Sequence, residues 1–581
     1  MRRRRARFGN MQLSYTHGVS PRPLIGKTIG DWLDEAAAEF GPHEALVSVF
    51  ENKRFSYASF RDEVDRCARA LIALGVEKGA RVGLWSTNCA AWTLLQFGTA
   101  KIGAVLVNLN PSYRLHELEF ALKQSECNVL ISGEGFKDAD YVAMLHRLVP
   151  ELASADPRKD LRREKFPHLR RLIFLGAHPA PGFLTWNELL EWAERGAPDA
   201  AGERQASLNF DDVINIQYTS GTTGFPKGAM LTHHNLLNNG FWVGERMRFT
   251  HRDRLCIPVP FYHCFGMVLG NLACVSHGAT MVLPAPHFSP LHTLQAVAQE
   301  RCTALHGVPT MFIAELGHPQ FREFDLSSLR TGIMAGAPCP IEVMKRVMLE
   351  MHCREITIAC GMTETSPVCN MTEVDDSIEV RVGTVGKVMP HQEQKIVDPT
   401  TDRILPRGQQ GELCYRGYQV MRGYYNNPQG TNETIDAAGW LHSGDLAVMD
   451  ENGYVKIEGR LKDMICRGGE KIFPREVEEF LFSHPKIAEA YVIGVPDAYY
   501  GEQVVAWAKL KEGEAMSAAE LQAFCRGQIM DYKIPRHVKF VTEFPSTVTG
   551  KVQKFRMREI STAELGLEHV VTSGATYYSV S

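Results

Sequence analysis

Residues 218–230 read YTSGTTGFPKGAM. Gly221 and Gly224 leave backbone N–H groups open, and Thr219, Ser220, Thr222 and Thr223 add hydroxyl donors. Such a loop can wrap anionic oxygens, and Lys227 supplies a compact positive charge beside it. The chemistry that fits is phosphate binding. A Walker A loop would place Ser or Thr directly after its lysine and lead into a helix. Here Pro226 precedes Lys227 and Gly228 follows it. Pro226 also biases Phe225 toward extended backbone. "VINIQ" before the loop and "GAMLTH" after it both read as strands, so the loop is expected to close a hairpin.

Further chemistry-bearing residues lie downstream. Thr363 and Glu364 follow "EITIAC", an expected strand, and open α/β sheets bind ligands at the carboxyl ends of their strands. Asp445 follows "HSG" at the expected end of a strand. An acceptor-only carboxylate there could grip two vicinal hydroxyls. Lys551 sits in "TVTGKVQK" near the carboxyl end. Fourteen cysteines are scattered singly, with no C-x-x-C pair and no H-E-x-x-H. That spacing carries neither a zinc motif nor a redox dithiol. It suits a reducing interior better than secretion, and the expected compartment is the cytoplasm, with the mitochondrial matrix as the alternative.

Strands alternating with helices must position these groups. "TIGDWLDEAAAEF" (28–40) reads as an amphipathic helix. "ARVGLWS", "AVLVNLNP", "NVLISG" and "LRRLIFLG" read as buried strands, with the helical "NCAAWTLLQFGTAKIG" after the first. "CTALHGVPTMFIAELGH" and "LRTGIMAGAPCPIEVMKRVMLEM" continue the alternation. The expected fold class is α/β, with doubly wound sheets. Near residue 380 short strands with frequent turns take over, and "DENG" reads as a hairpin turn. From 460 a helix starting at Pro474 and the strands "AEAYVIGVPD" and "EQVVAWAKLK" suggest a small, mobile α+β domain. The expected division is an amino-terminal extension over 1–27 and a large domain over 28–459, whose β-rich subdomain covers about 380–459. The small carboxy-terminal domain spans 460–560, and 561–581 is a tail.

The chain has 581 residues and a net charge of −4, which gives no basic field for nucleic acid. Its 44% hydrophobic and 22% charged content is that of an ordinary globular protein. "MRRRRARF" lacks the apolar core of a secretory signal. It reads as a disordered basic start, a start from Met11, or a transit segment. Residues 255–299 hold no Asp, Glu, Lys or Arg. A spanning helix wants roughly 20 uninterrupted apolar residues. Pro258, Pro260, Pro284, Pro286 and Pro290 interrupt this stretch, so it reads as buried α/β core beside an apolar pocket, not as an integral membrane segment.

Six motifs together resemble the adenylate-forming family, which includes acyl-CoA synthetases, aryl-CoA ligases, luciferases and peptide-synthetase adenylation domains. They are "TSGTTGFPKG", "GMTET" (361–365), "GELCYRG" (411–417), "GWLHSGDL" (439–446), "GYVKIEGRLKDMI" (453–465) and "PSTVTGKVQKFRMRE" (545–559). They fall in the family's order over roughly residues 30–560. The resemblance implies ATP, Mg²⁺ and coenzyme A, and small-molecule partners only. Thr363 is then expected at the α-phosphate and Glu364 on Mg²⁺. Asp445 goes to the ribose, with Arg460 assisting. Gly336, Ala337 and Pro338, with Gly361 and Met362, flank adenine. Lys551 reaches the reacting carboxylate and phosphate, Lys462 is the hinge, and Gly468 and Gly469 line the path of pantetheine. One position departs from the family: an aromatic usually precedes G-x-T-E, and here it is Cys360.

Peptide-synthetase domains carry an aspartate in the motif after "PVP" to meet an amino group. This chain has "FYHCFG", with His263 and no acid, so an ammonium would lack a counter-charge. His263 is expected where the acyl pocket meets the thiol path. The uncharged 255–299 stretch suits an alkyl or aryl chain, and the motifs most resemble medium-chain fatty acyl-CoA synthetases. An aryl-CoA ligase, an enzyme loading a carrier protein, and a non-catalytic acyl or nucleotide sensor are the rival readings.

Overall fold

The computed structural model describes residues 12–161, 164–219, 226–337, 339–468, 470–546 and 552–570. The chain divides into two compact units. One comprises 16–394 and 415–441; the other comprises 1–15, 395–414 and 442–581.

The larger unit contains two wide sheets. One has eight strands, in the order Leu184–Thr185, Arg171–Phe174, Val129–Ser132, Arg81–Trp85, Val105–Asn108, Val213–Thr219, Lys227–Thr232 and Gly423–Tyr424. The first six run parallel, and the last two are added antiparallel. The other has nine strands, in the order Lys387–Val388, Val368–Met371, Glu355–Gly361, Thr331–Ala335, Ala304–Gly307, Arg254–Cys256, Thr280–Leu283, Glu44–Ser48 and Lys53–Ser56. Its centre is parallel and its edges antiparallel. The doubly wound α/β expectation is met.

Local sequence explains the elements. Thr28 caps the Ile29–Phe40 helix: its Oγ1 accepts from the Asp31 N–H at 3.1 Å, and the Asp31 carboxylate accepts from the Thr28 N–H at 3.3 Å. The helix Ala90–Lys101 is buried on every side, as a helix packed within the core must be. Gln96 Nε2 in it donates to the Met267 carbonyl at 2.9 Å and Gln96 Oε1 accepts from Asn271 Nδ2 at 2.8 Å. These bonds tie it to the uncharged 255–299 segment. That segment is core, as expected, but it contains an unanticipated feature: Met267–Leu272 forms a π-helical turn between two short α-helical turns. No helix among the described residues is long and apolar enough to cross a membrane.

In the smaller unit, Glu470–Ile472, Ile465–Arg467, Gly501–Leu510 and Ile487–Asp497 form a sheet in that order, with His537–Phe540 alongside Gly501–Leu510. Pro474 opens the Pro474–Phe482 helix, whose Val477 and Leu481 join Ile465, Val492, Val504 and Leu521 in the core. Strands Leu441–Met449 and Val455–Arg460 pair antiparallel around the "DENG" turn, where Asp450 Oδ1 accepts from the Asn452 and Tyr454 N–H groups, each at 2.8 Å.

Candidate active site

In the larger unit, Val213–Thr219 and Lys227–Thr232 form the expected hairpin, with Thr219 opposite Lys227. Ser220, Gly221, Thr222, Thr223 and Gly224 lie outside the described residues. The strand is anchored by buried polar side chains. Asn215 Nδ2 donates to the Leu106 carbonyl at 2.9 Å and to Asn108 Oδ1 at 3.0 Å. Gln217 Oε1 accepts from the Cys264 thiol at 3.0 Å. Lys227 Nζ stands 5.0 Å from the centre of the Tyr424 ring, a cation–π distance. The Tyr424 hydroxyl donates to Glu364 Oε1 at 2.7 Å. Lys227 and Glu364 therefore meet the same ring. Burial, and secondarily the charge of Glu364, hold the Tyr424 phenol far above its ordinary range, so it remains a donor.

Glu364 is 6% exposed and belongs to the turn Thr363–Thr365, directly after Glu355–Gly361. Met362 precedes that turn; its N–H donates to Thr365 Oγ1 at 3.1 Å. Thr365 Oγ1 donates in turn to the Pro367 carbonyl at 2.8 Å. Gly361 is needed here, because a Cβ would stand 1.7 Å from the Pro367 oxygen. Ala335 and Ala359 are paired on adjacent parallel strands. The loop bearing Gly336 and Ala337 therefore leaves the same sheet edge as Cys360 and Met362. Gly336 has φ +89°, a conformation that favours glycine. Pro338 lies outside the described residues.

His263 has a local task. Its Nδ1 accepts from the Phe265 N–H at 3.2 Å and caps the Cys264–Gly266 turn. The Tyr262 carbonyl accepts from Asn108 Nδ2 at 3.1 Å, which fastens this turn over the strand Val105–Asn108. Burial, then the charge of Glu364, push the neighbouring Cys264 thiol up. The turn thus shares its electrostatic surroundings with Glu364.

In the smaller unit, Arg460 Nε contacts Asp445 Oδ1 at 3.0 Å, from cross-strand paired positions. One expectation is corrected. Asp445 lies inside the nine-residue strand Leu441–Met449, not at a strand end. Gly444 takes φ +70°, and Glu412 Oε1 accepts its N–H at 3.1 Å, so the strand continues through this glycine to Asp445. Lys462 lies in the turn Leu461–Asp463, directly after Val455–Arg460. Gly468 has φ +60° and turns the hairpin in which Arg467 pairs with Glu470; Gly469 lies outside the described residues. Lys551 does too. Its segment is bracketed by a bridge between Ser546 and Val552 and by a 2.7 Å bond from the Gln553 N–H to the Pro545 carbonyl.

Tyr424 was missed by sequence reasoning, which took "GYYNNP" only as β-rich texture. The signal available was an aromatic pair ahead of a turn, and nothing in it names Glu364 as a partner.

The AMP-binding enzyme family model matches residues 33–425, and the model for the AMP-binding enzyme C-terminal domain matches 476–551. A protein of Bacillus subtilis (strain 168), provisionally named the acyl-CoA synthetase YngI, is 50% identical over 92% of this chain and 97% of its own. The mitochondrial medium-chain acyl-CoA ligase ACSF2 of Danio rerio is 43% identical over 95% of this chain and 91% of its own. The crystal structure of ATP-bound MatB from Rhodopseudomonas palustris superposes with a TM-score of 0.79 at 27% identity, covering 93% of this chain and all of that one.

Proposed function

The chain belongs to the AMP-binding enzyme family, and we propose that it is an ATP-dependent carboxylic acid–CoA ligase, AMP-forming, whose acid is a medium-chain fatty acid. A free carboxylate resists attack by a thiol. In the first half-reaction a carboxylate oxygen attacks the α-phosphorus of ATP, and the bond to the departing pyrophosphate breaks. In the second, the thiol of coenzyme A attacks the acyl carbon of the adenylate, AMP leaves and the thiol proton is lost. Both halves develop negative charge, which fixed donors and cations must stabilise.

The observation that supports this reading most is the meeting of Lys227 and Glu364 on Tyr424, at the base of the 220–224 loop. We assign Thr219, Ser220, Gly221, Thr222, Thr223, Gly224 and Lys227 to the phosphates, and Thr363 to the α-phosphate. Gly336, Ala337, Pro338, Cys360, Gly361 and Met362 flank adenine. Asp445 accepts from the ribose hydroxyls, held by Arg460. Lys551 neutralises charge during adenylation. In this assignment residues 460–560 turn about Lys462 between half-reactions, and Gly468 and Gly469 pass pantetheine.

Glu364 fits Mg²⁺: it is a hard oxygen donor, and Tyr424 occupies only one of its oxygens. A bound Mg²⁺ supplies charge neutralisation at the phosphate oxygens. The uncharged core 255–299 and the medium-chain ligase among the relatives support the choice of acid. Each buried CH₂ contributes about 0.8 kcal/mol, enough to grade acids by length. A panel of fatty and aromatic acids, scored by pyrophosphate release and by thioester with free CoA, tests the proposal. Saturated acids of middle length should rank first. A ranking led by aromatic acids, or pyrophosphate without thioester, would overturn it in favour of an aryl-CoA ligase or a carrier-loading enzyme.

A further inference from the structure

Within the smaller unit, three potential ligand atoms converge beside Asp445. His442 Nδ1 lies 2.9 Å from Glu412 Oε2 and 3.5 Å from Cys414 Sγ. The carboxylate, thiol and imidazole atoms all lie within 4.8 Å of one another. Glu412 and Cys414 sit two residues apart on the strand Gly411–Gly417, so they face one side of it. His442 comes from Leu441–Met449, and Ser443 Oγ donates to the Leu413 carbonyl at 2.5 Å, which joins the two segments.

We propose that Glu412, Cys414 and His442 form a site for a divalent transition-metal ion of the Zn²⁺ class. Zn²⁺ binds thiolate sulfur at about 2.3 Å and imidazole nitrogen at about 2.0–2.1 Å, so a tetrahedral S···N edge is roughly 3.5 Å. The Cys414–His442 separation is 3.5 Å. The nitrogen–oxygen edge would need to open from its 2.9 Å by roughly 0.4 Å to reach its tetrahedral value. Cys414 Sγ is fully buried and also lies 4.0 Å from the Glu412 carbonyl oxygen. A metal ion held between the three ligand atoms would serve all of them.

The donor set is selective. Thiolate with imidazole suits Zn²⁺ or Co²⁺ and not Mg²⁺, and one thiolate with one carboxylate balances the charge of a divalent ion. Access is from the His442 side, whose side chain is 26% exposed. The site also touches the strand that bears Asp445. Glu412 would bind metal through Oε2 while Oε1 keeps the Gly444 N–H, one residue before Asp445. Metal binding thereby stiffens residues 442–445. No local motif reveals this set, because its members come from two strands, with Cys414 and His442 28 residues apart.

The test uses the full-length chain stripped of metal and titrated with Co²⁺. A thiolate-to-cobalt charge-transfer band in the near ultraviolet is expected, displaced by Zn²⁺ and unaffected by excess Mg²⁺. Cys414→Ser should abolish the band. Cys466→Ser, which removes the exposed thiol, should leave it. Loss of a partner outside the ligand set already costs about 10–100-fold in metal affinity, so Glu412→Gln or His442→Gln should weaken Co²⁺ binding by at least about a hundredfold. Should Cys414→Ser fail to fold, X-ray absorption on the wild-type Zn²⁺ complex decides: one sulfur ligand with nitrogen and oxygen is expected. No band in the wild type, an undiminished band in Cys414→Ser, or a sulfur-free zinc shell would each overturn the proposal.

Discussion

The Tyr424 hydroxyl donates to Glu364 Oε1 at 2.7 Å, while the face of the same ring lies 5.0 Å from Lys227 Nζ. One phenol thus orients the carboxylate assigned to Mg²⁺ and restrains the lysine that follows the segment assigned to the phosphates. A hydrogen bond to a charged group is worth about 1.5–3 kcal/mol. Tyr424→Phe keeps the ring and removes the bond. The Mg²⁺ concentration for half-maximal pyrophosphate release should then rise at least about tenfold, by the same arithmetic. An unchanged Mg²⁺ requirement would separate Tyr424 from the site.

Lys551 carries the charge stabilisation assigned to adenylation alone. Removing one donor of this kind costs about a hundredfold or more. Lys551→Ala should therefore slow acid-dependent pyrophosphate release by at least about a hundredfold. Thioester formation from supplied acyl-adenylate should be spared. Equal damage to both half-reactions would contradict a domain that turns between them.

Cys360 stands at the end of Glu355–Gly361, beside the turn that holds Glu364, where the family usually has an aromatic. An aromatic face contributes about 1 kcal/mol of stacking beyond its area. Cys360→Tyr should lower the KM for ATP by about fivefold, the equivalent of that energy, with kcat little changed. A raised KM would mean that adenine does not rest there.

The alternation of strands and helices was readable because parallel strands buried on both faces are continuous apolar runs, as in "VLIS" and "RLIF". Pro226 and the glycines disclosed the hairpin for the same local reason. What escaped depends on partners distant in sequence. Met267–Leu272 lies in an uncharged, largely apolar stretch, so no periodicity distinguishes a π-helical turn from a strand. Asp445 was placed at a strand end because the group that carries the strand through Gly444, Glu412, is 32 residues away from that glycine. Tyr424 and Glu364 are 60 residues apart, and neither calls for the other by type.

Two buried histidines set an acid limit on the fold. His233 Nδ1 accepts from the Ile29 N–H at 3.1 Å, and His306 Nε2 lies 3.0 Å from the Leu269 carbonyl. Burial pulls each from 6.5 down to about 4. Between those values the unfolded chain takes up protons that the native chain refuses. Their contribution is therefore complete above pH 6.5 and falls as pH drops toward 4. Moving from pH 8 to 5 should cost about 2 kcal/mol per histidine, read as a lower urea midpoint, and His306→Gln should shrink the difference. Equal midpoints at the two pH values would refute the assignment.

The most direct measurement follows a carboxylate oxygen. Octanoate labelled with ¹⁸O in both carboxylate positions, incubated with ATP and coenzyme A, should yield octanoyl-CoA and AMP whose phosphate carries one labelled oxygen. Transfer of that atom is the signature of attack on the α-phosphorus. Unlabelled AMP, or ADP as the nucleotide product, would contradict an acyl-adenylate intermediate and with it the reaction assigned to this chain.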